Sequence, residues 1–137
     1  MSKHKKLLLI GGSNGNAHLR NFHDLISDQF ESILVVSNNI IDFASCKKLD
    51  FGLKNPIQFW QNISELRSII KEFKPDAVLT YNRRGGFGHP DHKMAHDATA
   101  MAIRKISKQS RTRAPEFWVI AEPREQFDAE IGNAKTA

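Results

Sequence analysis

The sequence predicts an α/β fold: a single Rossmann-like three-layer domain whose mostly parallel sheet of four to five strands carries helices on both faces. Three observations predict it. Short apolar runs alternate along the chain with longer segments in which apolar residues recur every three or four positions, the order strand, helix, strand, helix. The short runs are apolar throughout, as strands covered on both faces are. The 137 residues, 40% hydrophobic and 26% charged, suffice for one core and leave no room for a second full domain. The domain is expected over residues 1–131, with residues 132–137 as a frayed tail.

The first strand is Lys6 to Ile10, "KLLLI", ending in Gly11-Gly12, a turn. From His18 to Phe30, the residues Leu19, Phe22, Leu25, Ile26 and Phe30 give a helix one apolar face, with Asn16 as its cap. "SILVVS", Ser32 to Ser37, is rich in β-branched residues and stops at Asn38-Asn39, a second strand and its turn. Ile40 to Asn55 has no clean period; a short edge strand is expected around Leu49 to Leu53. Pro56 suits the first turn of a helix whose stripe runs Phe59, Trp60, Ile63, Leu66, Ile69, Ile70, Phe73 and stops before Lys74-Pro75. "DAVLT", Asp76 to Thr80, is the next strand. A helix over Asp91 to Lys105 places Ala95, Ala98, Met101, Ala102 and Ile106 inward, and "EFWVIAE" after Pro115 is the last strand. Trp60 and Trp118 both fall on apolar positions and are expected in the core.

Composition narrows the function classes. The basic opening is followed by only four apolar residues before Gly11, too few for a signal peptide or a membrane span, so a cytoplasmic protein with no membrane partner is expected. One cysteine, Cys46, excludes an internal disulfide and a multi-cysteine zinc site. The formal charge of +5 raises nucleic acid as a partner. Yet "KHKK", Arg83-Arg84 and the run from Arg104 to Arg113 are scattered, and no aromatic residues interleave with them for base stacking. A solvated basic surface, or one suited to anionic small molecules, is the better reading.

In a parallel sheet ligands gather at the carboxyl ends of the strands. Here those ends carry Gly11 to Asn16, Ser37 to Asn39 and "YNRRGGFGHPDH", Tyr81 to His92. The last places His89, Asp91 and His92 within four residues, after glycines that permit sharp turning and before a helix. Residues three apart share a helix face, so His89 and His92 can both address the ligand edge, with His96 one turn on. Zinc takes three or four such donors, and Asp91 can fix an imidazole by its ring N–H. The same residues also suit a plain helix start, with Asp91 against the dipole and exposed histidines. Arg84 can meet an anionic group on a ligand.

"KPDAVLTYNRRGGFGHPDHKMAHDA" together with "PEFWVIAEP" resembles the second half of the LmbE / PIG-L family of zinc-dependent N-deacetylases, over roughly residues 62 to 128. The resemblance implies an N-acetylated amino sugar or glycan as substrate, His92 as a zinc ligand, His89 as the group that stabilises the oxyanion, and Asp91 as its support. The family's first-strand motif, His-Pro-Asp-Asp, supplies two further ligands and the general base. Here that place reads "LLLIGGSNGNAHL", whose Ser13, Asn14 and Asn16 are poor zinc ligands, while Gly12, Ser13 and Asn14 can contact a sugar. His18, His23 and Asp24 are the nearest substitutes. Weak zinc binding and little or no hydrolysis follow as expectations.

The first half, "KKLLLIGGSNGNAHLRNFHDLISDQFESILVVSNN" and "LKNPIQFWQNISELRSIIKEFKPD", is similar to the amino-terminal Rossmann-like domain of GT-B glycosyltransferases over residues 5 to 76. The two likenesses meet near "ELRSIIKEFKPD", which implies a hybrid, with residues 1–76 glycosyltransferase-like and 62–128 deacetylase-like. Two functions stand side by side: a deacetylase with an incomplete site, and a noncatalytic module binding a glycan or nucleotide-sugar. An exposed last strand also offers an edge through which the chain could form an oligomer.

Overall fold

The computed structural model describes residues 4–11, 16–38, 45–52, 55–84, 90–109 and 113–120. Among them are five strands, β1 (His4–Ile10), β2 (Phe30–Ser37), β3 (Ser45–Lys48), β4 (Ala77–Thr80) and β5 (Glu116–Val119). Three α-helices connect them: α1 (Asn16–Ile26), α2 (Pro56–Phe73) and α3 (Pro90–Ser107). The strands pair in the order β3-β2-β1-β4-β5, every pair parallel. This is the expected α/β, Rossmann-like class, with the sheet parallel throughout. No helix among the described residues is long and apolar enough to cross a membrane.

The register explains why the runs are apolar throughout. Successive side chains of a strand point to opposite faces. Leu8 and Ile10 of β1 join Leu34, Val36 and Val78 in the cluster that also holds Ile63, Leu66 and Ile70 of α2 and Ala95, Ala98 and Ala102 of α3. Leu7 and Leu9 join Val35, Ala77 and Leu79 on the other face, against which Ile26 packs. Every residue from Leu7 to Ile10 is buried, so none of these four positions tolerates a polar side chain without a partner.

α2 shows how local chemistry fixes a boundary. The Asn55 side chain accepts a hydrogen bond from the Gln58 N–H at 2.8 Å, Pro56 opens the helix, and both are favoured there. The helix ends at Lys74, whose φ of 56° is left-handed and whose N–H closes on the Ile70 carbonyl at 2.8 Å, an αL-type stop.

Three expectations need correction. The edge strand is β3 at Ser45–Lys48, not 49–53: Ser45, Lys47 and Lys48 are exposed, as suits an edge, while Leu49 and Phe51 lie past the strand end and drop into the core. Leu25 is 72% exposed, because α1 stops at Ile26, a 3-10 turn over Ser27–Gln29 follows, and Phe30 reaches the core from β2. Trp60 is 50% exposed. At about 100° per residue it lies some 120° around α2 from the centre of the buried arc, and the Lys105 ammonium covers its ring at 5.3 Å. Trp118 is half-buried beside Phe30, with ring centroids 5.9 Å apart.

Candidate active site

From β1 the chain moves outward to β2 and β3, then returns to the other side of β1 to lay down β4 and β5. The sheet therefore reverses direction between β1 and β4, the place where ligands enter such folds. The two strand ends are pinned there. Buried Thr80 donates from Oγ1 to the Ile10 carbonyl at 2.9 Å, and the Gly11 N–H donates to the Val36 carbonyl at 2.8 Å.

α3 lies across this edge. Its first turn holds Asp91, a position the helix dipole favours for a carboxylate. His92 is buried, 8% exposed, and its ring lies flat on that of Tyr81 at the end of β4, centroids 3.8 Å apart and planes 4° from parallel. Asp91 faces the other way, toward the ends of β2 and β3. Its Oδ2 is 4.0 Å from the point a Cβ on Gly52 would occupy, and the same point is 3.2 Å from Asp50 Oδ1 and 3.8 Å from Asn38 Nδ2.

That second wall is a closed polar network. Asp50 Oδ1 accepts from Asn38 Nδ2 at 2.8 Å and from the Gly52 N–H at 2.7 Å. Asn38 Oδ1 accepts from the Phe51 N–H at 3.1 Å. Buried Asn62 of α2 donates to the Asp50 carbonyl at 3.0 Å and accepts from Gln58 Nε2 at 2.9 Å. A fixed carboxylate and an amide thus stand beside Asp91.

Of the residues expected at the site, Asp91, His92 and half-buried Arg84 are placed at this edge, the last in the segment following Tyr81. His89, Gly12, Ser13 and Asn14 lie outside the described residues, as does the His18 side chain. His96 turns away from the edge: its ring packs 5.6 Å from Phe117 of β5 and its Nδ1 is 2.9 Å from Asp97 Oδ1. His23 Nδ1 lies 3.2 Å from Oδ1 of the neighbouring, exposed Asp24. Among the described residues no three His, Cys, Asp or Glu side chains come together that could hold a metal ion, so these residues alone do not fit a zinc centre. Tyr81, Asn38 and Asp50 were not foreseen as site residues. Tyr81 stands in the quoted loop and Asn38 in a recognised turn, but only the parallel register brings Asp50 beside Asn38.

Comparison with known proteins gives the chain relatives. A deacetylase of 1D-myo-inositol 2-acetamido-2-deoxy-alpha-D-glucopyranoside from Thermobifida fusca is 34% identical over 86 residues, 56% of this chain and 30% of that protein. The protein of the same name from Acidothermus cellulolyticus is 36% identical over 78 residues, 53% of this chain and 25% of that protein. The chain thus spans under a third of the length of these relatives. Two solved structures share the fold: a conserved protein from Thermus thermophilus, TM-score 0.56, 13% identity, covering 91% of this chain and 76% of that one, and the 4-carboxy-2-hydroxymuconate hydratase GalB from Pseudomonas putida, TM-score 0.55, 14% identity, covering 87% and 63%.

The pattern of one family, PIG-L, GlcNAc-PI de-N-acetylase, matches residues 23–103. That match runs through the 62–76 stretch where a glycosyltransferase-like front was expected to join a deacetylase-like back, and the comparisons give the glycosyltransferase half and the hybrid no support. It takes in Asn38, Asp50, Tyr81 and His92 of this edge, though not the end of β1 at Ile10 and Gly11, and it covers more than half of the sequence. The chain belongs to the PIG-L family.

Proposed function

We propose that this chain is a deacetylase-type domain that holds an N-acetylated amino sugar at the carboxyl edge of the sheet and turns it over little or not at all. The observation that carries the reading is the position of His92: buried, stacked on Tyr81 at the point where strand order reverses, and inside the segment matched by the family. The relatives are deacetylases of an acetamido sugar joined to inositol by their names, which supports an N-acetylated amino sugar as the substrate class. His89 faces the carbonyl oxygen that becomes an oxyanion, Asp91 orients its neighbours, and Gly12, Ser13, Asn14 and Arg84 contact the sugar. His92 is the metal ligand, and zinc held through it is weak.

Low turnover follows from inventory. Amide hydrolysis needs an activated water and a base to take its proton, and the loop Gly11 to Asn16 contains no His, Asp or Glu. The same shortage favours a second reading, in which the edge binds a glycan or nucleotide-sugar without chemistry.

Zinc calorimetry on the full chain beside His92→Gln, with amine release from an N-acetylglucosaminyl substrate, tests the proposal. We expect zinc affinity no tighter than micromolar, lost in the variant, and amine release near background. Submicromolar zinc binding with steady turnover would refute the incomplete-site reading. A melting temperature raised by the substrate without amine release favours the noncatalytic reading, and no response to any amino sugar removes both.

A further inference from the structure

Of the basic residues, Arg84 stands at the edge just described, and three others meet elsewhere. A cavity of about 570 Å3 opens between the end of α2 and the segment leading into β5, lined by Lys71, Lys74, Asp76 and Arg113 with Ile70 and Pro115 among its apolar wall. Pro75-Asp76 leads into β4 and Arg113 to Pro115 leads into β5. The cavity therefore sits at the amino-terminal edge of the sheet, opposite Tyr81 and His92. Its size is that of a small-molecule site.

Its charge is one-sided. Among the described residues no ion pair engages Lys71, Lys74 or Arg113. The single lining carboxylate is tied into the framework: Asp76 Oδ2 accepts from the Lys6 N–H at 2.9 Å, while the Asp76 N–H and carbonyl pair with Lys6 and Glu116. A helix carboxyl end repels anions, and cations there commonly do no more than offset it. Here Lys6 already does so, its ammonium donating to the Phe73 carbonyl at 3.0 Å. Lys71 and Lys74 are then left, with Arg113, to face whatever enters. Among the described residues no aromatic side chain lines the cavity, so these offer nothing on which a nucleic-acid base would stack.

We propose that this cavity is a second binding site, for a small phosphorylated molecule whose phosphate or diphosphate group is held by Lys71, Lys74 and Arg113 and whose apolar part rests on Ile70 and Pro115. Arginine supplies paired donors to phosphate oxygens and lysine a point charge. Calorimetry of the full chain with inorganic pyrophosphate tests it, beside the double variant Lys71→Ala/Arg113→Ala. Both positions are exposed, and a thermal melt checks that the variant folds; Arg113→Gln alone serves if it does not. We expect saturable binding at millimolar pyrophosphate or below, weakened about tenfold in the double variant and by added salt. Amide shifts should fall at Lys74, Asp76 and Ala114 and spare Tyr81 and His92. Absence of saturation by about 10 mM, equal affinity in the variant, or shifts centred on Tyr81 would overturn the proposal. So would a preference for single-stranded oligonucleotides that grows with their length.

Discussion

Replacing Thr80 with valine removes one hydroxyl and changes little else, which makes it a direct measure of how the two site-bearing strands are joined. The side chain is fully buried and its Oγ1 bonds the Ile10 carbonyl at 2.9 Å. Losing that bond removes roughly 0.5–1.5 kcal/mol, and a buried carbonyl left short of a donor adds roughly 1–3 kcal/mol. Burying the new methyl returns at most about 0.8 kcal/mol. The net loss should be about 0.7–3.7 kcal/mol, a fall in melting temperature of roughly 2–18 °C for a domain of this size. Urea and thermal melts followed by circular dichroism measure it, with Thr80→Ser as control. Serine keeps the bond and loses only a methyl. Hydrogen exchange at Gly11, whose N–H bonds the Val36 carbonyl beside Ile10, should quicken in the valine variant and not in the serine one. A valine variant as stable as the parent, with unchanged exchange at Gly11, would refute the idea that this hydroxyl pins the reversal point.

Two further perturbations act on α2. Asn55→Ala removes the cap on the Gln58 N–H and should lower stability by about 1 kcal/mol, read from urea melts and faster exchange in the first helical turn. Lys74→Gly relieves a left-handed backbone and should raise stability by about 0.5–1 kcal/mol, since the αL penalty of roughly 1–2 kcal/mol exceeds glycine's entropy cost; a lower melting midpoint would contradict this.

The fold was legible because its signals are local. "KLLLI" and "SILVVS" read as doubly covered strands, and Pro56 with Lys74-Pro75 brackets α2 almost to the residue. Errors came where tertiary geometry overrides pattern. Leu25 and Trp60 fit an apolar stripe, yet each sits off the arc that meets the sheet, and β3 takes polar, exposed side chains because an edge strand needs only one neighbour. The site was half legible. The histidine motif is contiguous and announces itself, whereas Asp50 reaches Asn38 across 12 residues of chain and has no linear signature. The ring of Tyr81 was in the quoted loop, but nothing in the string says that it lies against His92 and not in solvent.

Asp91 and His92 are consecutive, so the angle between them is the roughly 100° step of the helix itself. One rigid rod therefore serves two separate strand ends, and its rotational phase matters more than the length of the chain that leads into it. Slipping α3 by a single position would present Tyr81 with the Asp91 carboxylate or the Lys93 ammonium in place of a flat ring. An insertion between Pro90 and His92 would turn both side chains away from their strand ends.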